Sequence, residues 1–422
     1  MTADPDGGPA GGDAATDRPL KILMIGHSYV IALNRRLCRE VALAAGEAAI
    51  VTVAAPTFVE GDLRPVALES LDGEPYELAP IRFRASGRPP LAHYAPGALR
   101  SLMRREPWDI VHAWQEPYVV SGGQIAWQAP RGATLIFSTF QNIAKRYPPP
   151  FGRIEAMSLR RASGWTAFGA TIAETLRDRP GYRERPTRTI PLGVDRRVFR
   201  PDPDAGRAVR RGLGWEDDLL PVVGYLGRFV PEKGLGTLTR ALDAQPPGTW
   251  RALLVGGGAM EAELRGWAER HGGRARVVTG VAHDDVPPYL AAMDVLAAPS
   301  RTTRAWREQL GRMLLEAMAS GVAVVASDSG EIPHVVADAG LVVPEADEGA
   351  WASALGRLIA EPDFRRAFAD RGLARARDVY DWPIVARQFL DFFLDLRRAS
   401  TGDPGRINAP LVPAPQSPHY GR

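Results

Sequence analysis

The run Val295-Leu296-Ala297-Ala298-Pro299-Ser300 is followed by Glu308-Gln309-Leu310-Gly311-Arg312-Met313-Leu314-Leu315-Glu316-Ala317-Met318-Ala319-Ser320-Gly321 and then by Val322-Ala323-Val324-Val325-Ala326. A short apolar run, a glycine turn, an apolar helix and a second apolar run describe one strand–helix–strand unit. Near-continuous apolar strands are what a parallel sheet covered on both faces requires. Working outward, similar strand-like runs recur at Val222 to Leu226, Ala252 to Val255 and Arg276 to Thr279, and in the first half at Leu20 to Ile25, Ala49 to Val53, Ile110 to Ala113 and Thr134 to Phe137. Strands alternating with helical patterns predict an α/β chain built on parallel, doubly wound sheets, with ligands at the carboxyl ends of the strands. At 422 residues and 45% hydrophobic content the chain is long enough for two such domains.

Two elements at strand ends carry chemistry. Glu308 and Glu316 stand eight apart across Gly311, and Gly224-Tyr225-Leu226-Gly227-Arg228-Phe229-Val230-Pro231-Glu232-Lys233-Gly234 leads from a strand into a loop with an Arg and a Lys. Lys233 is the more telling cation, because the chain has only two other lysines, Lys21 and Lys145. An isolated pair of glutamates on a helix is usually solvated surface; the flanking strands and the basic loop in the same half-chain argue for a site. Together these motifs resemble the retaining, nucleotide-sugar-dependent glycosyltransferases of the GT-B fold, family four, group 1 type. The resemblance spans roughly Lys21 to Leu396 and implies two Rossmann-like domains with a cleft between them. It places an acceptor-binding domain over 19–195, a donor-binding domain over 196–381 and a C-terminal crossover helix over 382–398. The turn Pro191-Leu192-Gly193-Val194-Asp195 is similar to the family's interdomain segment, and apolar spacing after Pro383 suits the helix.

The chemistry of a sugar nucleotide explains these residue types. Negative charge grows on its diphosphate as the bond to the sugar breaks, so a transferase without a metal must supply fixed cations, here Arg228 and Lys233. A helix opening after Gly311 adds unpaired N–H groups and the positive end of its dipole, and Gly311 lets the backbone approach closely. Glu316, roughly 7.5 Å beyond Gly311 at ~1.5 Å per residue, has the reach to grip ribose hydroxyls. The resemblance further implies that Glu308 holds the donor sugar and stabilises an oxocarbenium-like centre. The backbone N–H groups of Gln309, Leu310 and Gly311 would hold sugar and phosphate, with Gly227 beside them and Val281 near the base. In retaining members the departing phosphate takes the acceptor proton on the same face. No metal site and no cofactor are expected; the donor is a UDP-, GDP- or ADP-sugar, and the acceptor a hydroxyl on a glycan, lipid or small molecule.

The first half departs from the family pattern. Many relatives place a Gly-Gly loop after the first strand, where this chain has Gly26 followed by His27-Ser28-Tyr29. Many carry a His after the fourth strand, where it reads Thr139-Phe140-Gln141-Asn142. His112, read as ending a strand, is the candidate to line the cleft instead, together with Glu116. Acceptor choice is expected in the loops 56–65 and 145–152, which carry no decodable motif. These departures leave two alternatives: a sugar-nucleotide epimerase on the same fold, or a non-catalytic sugar-nucleotide-binding subunit. A phosphorylase needs a lysine for pyridoxal phosphate that the three lysines do not suggest, and a glycosidase needs both carboxyls facing one bond.

Cys38 is the only cysteine, which rules out a disulfide framework, and the chain shows no secretory pattern and no apolar stretch of the ~20 residues a spanning helix needs. A cytoplasmic protein is therefore expected. Residues 20–195 hold 22 Lys and Arg against 16 Asp and Glu, a balance of +6, while 196–382 come out near −2. Basic clusters such as Arg35-Arg36-Arg39 and Arg100-Arg104-Arg105 fit peripheral contact with the anionic inner face of a membrane, or a phosphorylated acceptor. No nucleic-acid recognition motif occurs. Residues 1–18 and 399–422, rich in Gly, Ala and Pro, read as disordered tails.

Overall fold

The computed structural model describes residues 18–60, 65–215 and 219–401. The first sheet contains β1 (Leu20–Gly26), β2 (Ala49–Pro56), β3 (Glu77–Ile81), β4 (Ile110–Trp114), β5 (Thr134–Thr139), β6 (Gly164–Ala167) and β7 (Thr187–Thr189). Its order is β7-β6-β5-β4-β1-β2-β3, parallel throughout. The second contains β8 (Val222–Arg228), β9 (Arg251–Gly257), β10 (Ala275–Val278), β11 (Val295–Ala298), β12 (Ala323–Ser327) and β13 (Leu341–Val343), in the order β10-β9-β8-β11-β12-β13. Both are doubly wound, as the alternation of apolar runs and helices predicts. The strands without a reading in the sequence are β3, β6, β7 and β13, all of three to five residues and the first three interrupted by Pro, Gly or polar residues.

The strand order places the chemistry. In an open α/β sheet the loops diverge where the order reverses, leaving a crevice at the carboxyl ends of the two strands concerned. In the first sheet these are β1 and β4, paired Gly26 to Trp114 at their last residues. In the second they are β8 and β11, which deliver the loops bearing Arg228, Lys233 and Glu308.

A C-terminal helix, with Val385, Ala386, Phe389, Phe392, Phe393 and Leu396 buried along one stripe, straps the two halves together. It spans Trp382–Thr401 and ends three residues beyond the expected Arg398. Of the two expected tails, everything but Arg18 and residues 399–401 lies outside the described residues. The chain crosses between domains twice, side by side, with Val194 N donating to Tyr380 O at 2.7 Å. Gly193 permits this, since a Cβ there would meet Trp382 Cδ2 at 2.5 Å. The helix then packs on the helix Arg36–Ala45 and on β5.

His112 belongs to this packing and not to the cleft. It is the third of the five residues of β4, fully buried, with Nε2 2.6 Å from Ser138 Oγ and the rings of Phe389 and Phe393 at 5.8 and 5.0 Å. Burial drives its pKa down to about 3, so the imidazole is a neutral core group. The expectation of a cleft residue fails because β4 continues two residues further, to Trp114. Glu116 is a brace, accepting from Thr139 Oγ1 at 2.6 Å and Phe140 N at 2.8 Å.

The strap is anchored at its far end by Asp109, 3% exposed, whose carboxylate accepts from Lys21 N at 2.9 Å and Arg397 Nη2 at 3.0 Å. Asp109→Ala leaves these donors, and Arg18, which also donates to the carboxylate at 2.9 Å, without their acceptor, and should cost about 2 kcal/mol in urea unfolding. A loss below about 0.5 kcal/mol would mean that the apolar stripe alone holds the helix.

Candidate active site

The loops after β8 and β11 are knitted together before any side chain is considered. Gly234 adopts φ 69°, and a Cβ there would lie 1.8 Å from Pro299 O, so only glycine allows the approach. Arg301 N donates to Glu232 O at 2.8 Å across the same seam. This brings Lys233, at the end of the turn Pro231–Lys233, onto Glu308: Nζ to Oε2 is 2.5 Å, with Ser300 Oγ donating to the same oxygen at 3.0 Å. Trp306 covers the ammonium, its ring centroid 4.8 Å away. Arg228, at the end of β8, is exposed and makes no ion pair among the described residues. Gly227 beside it holds φ 144° in a space bounded by Tyr225 Oη and Met313.

Gly311 takes φ 72° and starts the helix Arg312–Ala319, which carries Glu316 in its second turn. Leu310 is buried, while Gln309 is exposed and donates to Phe140 O at 2.8 Å, across to the first domain. Asn142 Nδ2 likewise donates to Glu308 O at 3.1 Å. Glu331 completes the grip: its N–H donates to Glu308 O, while its carboxylate accepts from Ala170 N, Thr171 N and Thr171 Oγ1 at 2.7, 2.8 and 2.5 Å. It caps the N-terminus of the helix Ala170–Arg177 of the other domain.

Two cavities flank this loop. One, about 770 Å³ including its open mouth, is lined by His27, Ser28, Asn34, Trp114 and Phe140 of the first domain and by Glu308 to Arg312 of the second. Gly26 lies just behind it, under Trp114. The other, about 330 Å³, lies between Arg36, Phe199, His283, Arg312 and Glu316. Val281 sits on the loop two residues before His283. Of the acceptor loops, residues 61–64 lie outside the described residues.

Sequence reasoning missed Asn142, Glu331 and Arg312. The first two act across the domain boundary and leave no local pattern. Arg312 did leave a signal: a cation in the first turn of a helix opposes the dipole there, which is unfavourable unless something else requires it. It reaches Asn34 Oδ1 at 3.2 Å and borders both cavities.

The chain has known relatives. Residues 220–361 match the profile of Glycosyl transferases group 1, and residues 35–198 that of Glycosyltransferase Family 4. A D-inositol 3-phosphate glycosyltransferase of Saccharomonospora viridis is 30% identical over 345 residues, covering 74% of this chain and 76% of that protein. The chain belongs to the group 1 glycosyltransferases. A GDP-mannose-dependent alpha-(1-6)-phosphatidylinositol monomannoside mannosyltransferase of Mycolicibacterium smegmatis is 40% identical to this glycosyltransferase over 202 residues, 46% of the chain. The matched part spans 52% of that relative's length. Among solved structures, Anabaena HepE in complex with UDP and glucose superposes with a TM-score of 0.68 at 21% identity, over 89% of this chain and all of that one. The fold is GT-B, and no helix among the described residues is long and apolar enough to cross a membrane.

Glu316 yields a pH test. Full burial raises its carboxyl to about 7 from 4.5, with Arg312 one turn away pulling it back. The native state therefore holds this proton more tightly than the unfolded chain. Stability is greatest below the unfolded value and is lost as pH rises through the window from 4.5 to about 7. Glu316→Gln cannot ionise, so its stability relative to wild type should improve across that window, by at most roughly 3 kcal/mol. Denaturant unfolding of both proteins at pH 5 and pH 8 checks this; a pH-independent difference would mean that the carboxyl is not held protonated by burial.

Proposed function

We propose that the chain transfers a sugar from a nucleoside-diphosphate sugar to a hydroxyl acceptor, with retention of anomeric configuration and without a metal ion. The observation that carries this reading is the pairing of Lys233 with Glu308 beside the helix that Gly311 opens, Glu308 and Gly311 both lining the larger cavity. An ammonium, a carboxylate and a helix N-terminus where two loops meet suit the needs of a phosphate leaving group and of the sugar from which it departs. Glu308 would hold the sugar, Lys233 and Arg228 the diphosphate, and Glu316 the ribose, with the base towards Val281. The leaving phosphate oxygen would take the acceptor proton on the face from which it departs. The mannosyltransferase relatives make GDP-mannose the first donor to test, beside UDP- and ADP-sugars. The exposed Arg100 and Arg104 of the first domain would draw an anionic acceptor or lipid surface towards it.

A thermal-shift screen of GDP-, UDP- and ADP-sugars names the donor, since binding stabilises the native state by mass action. With it, Lys233→Ala and Arg228→Ala should each lower kcat/KM by on the order of 2 to 4 kcal/mol while weakening nucleoside binding by less. Near-wild-type turnover in both would sink the assignment.

The stereochemistry is an independent check. Proton NMR of the glycoside formed in EDTA should show the donor's α-anomer. An inverted product, or activity abolished by EDTA and rescued by manganese, would overturn the mechanism.

A further inference from the structure

The larger cavity has a first-domain wall for which the donor reading has no use. His27 opens the turn that follows β1, and its Nδ1 lies 2.7 Å from Gln115 Oε1. Gln115, 5% exposed, is itself held by Nε2 donating to the fully buried Ser121 Oγ at 2.7 Å. With the amide so oriented, Nδ1 carries the ring proton and Nε2 of the neutral imidazole keeps its lone pair. The surrounding protein lowers the pKa of His27, although the Gln115 contact raises it, which favours that neutral form. The ring lies parallel to Phe83, centroids 6.4 Å apart, and Nε2 has no protein partner among the described residues. Beside it Trp114 and Phe140, stacked at 5.8 Å, form an aromatic floor, and Asn34 and Arg312 add polar groups.

We infer that His27, oriented by Gln115, is the acceptor-binding residue, and that the acceptor group it receives is a cyclic polyol, a sugar or cyclitol ring lying on Trp114 and Phe140. This inference rests on the function proposed above. A neighbouring hydroxyl of the ring, donating its hydrogen to Nε2, holds the attacking hydroxyl towards the Glu308–Gly311 wall, where the donor sugar is proposed to sit. On transfer the sugar–phosphate bond breaks and the sugar–acceptor bond forms. The attacking hydroxyl's own proton passes to the departing phosphate oxygen, while His27 keeps its hydrogen bond to the neighbouring hydroxyl and stays neutral. The aromatic floor supplies the apolar surface that the C–H faces of a polyol ring need, while His27, Asn34 and Arg312 meet its edge.

The experiment uses the full chain with the sugar nucleotide selected by thermal shift among GDP-mannose, UDP-glucose and ADP-glucose. Methyl α-mannopyranoside and myo-inositol serve as the sugar and cyclitol arms, and glycoside and free sugar are both quantified. His27→Ala should lower acceptor kcat/KM about 10- to 100-fold and move product from glycoside towards free sugar. Affinity for the nucleoside diphosphate of the selected donor, measured by calorimetry, should stay within about twofold, a loss of a few tenths of a kcal/mol at most. His27→Asn, which restores a polar atom beside Gln115 but lacks Nε2, should lose as much, and Gln115→Leu somewhat less. Wild-type transfer in the Asn variant, or transfer, hydrolysis and nucleoside-diphosphate affinity falling in proportion, would overturn the assignment. A wild-type protein that hydrolyses the donor yet glycosylates neither ring would overturn the polyol class. One that neither binds nor hydrolyses any sugar nucleotide would overturn the proposed function itself.

Discussion

A carboxylate taken out of water must find a cation or several hydrogen-bond donors, or give up its charge, and Glu308 finds Lys233. The rest of the site follows from that requirement. The two residues lie 75 positions apart, on loops leaving different strands, so the pair forms only if β8 and β11 are neighbours and their loops touch. Gly234 permits the touch and the seam between Glu232 and Arg301 holds it. A side chain at 234 would therefore displace the loop that carries Glu308.

The same loop is held from the opposite side by the first domain. Asn142 donates to the Glu308 carbonyl, Gln309 donates to that of Phe140, and Arg312 donates to Asn34. Glu331 makes no ion pair among the described residues: three donors at the start of a helix in the other domain hold it, and burial raises its pKa despite them and the nearby His334. A carboxylate satisfied by backbone N–H groups is sensitive to small displacements, since each bond needs its geometry. Separating the domains would expose the carboxylate and release the Glu308 carbonyl together. The geometry thus couples closure of the cleft to the position of the residue proposed to hold the sugar.

What the sequence made legible and what it hid divide along this line. The two sheets, the Gly311 turn, the helix bearing Glu316 and the strap from Trp382 rest on local periodicity and on glycines with positive φ, both properties of neighbouring residues. His112 was misread because a strand's end is poorly marked: Ala113 and Trp114 continue the ladder, and the strap's Phe389 and Phe393 then enclose the ring. Asn142 and Glu331 were invisible because their partners lie more than 150 residues away. Arg312 was legible in principle, as a cation where the helix dipole favours an anion.

Charge bookkeeping around the loop separates the two proposed phosphate ligands. Lys233 is already engaged by Glu308, yet an ammonium has three donors, and one contact to a carboxylate leaves others for a phosphate oxygen. Arg228 is exposed at a strand end and makes no ion pair among the described residues. Arg312 is half-buried, its pKa lowered by desolvation and supported by Glu316, and it ties the two cavities together more than it adds net charge to either. Under the proposed mechanism, Arg228 would attract the diphosphate from solution. Lys233, placed between Glu308 and the phosphate, would link the group that departs to the carboxylate that holds what remains. A cation shared in this way gains interaction with the phosphate as negative charge develops there, the condition for favouring the transition state over the bound donor.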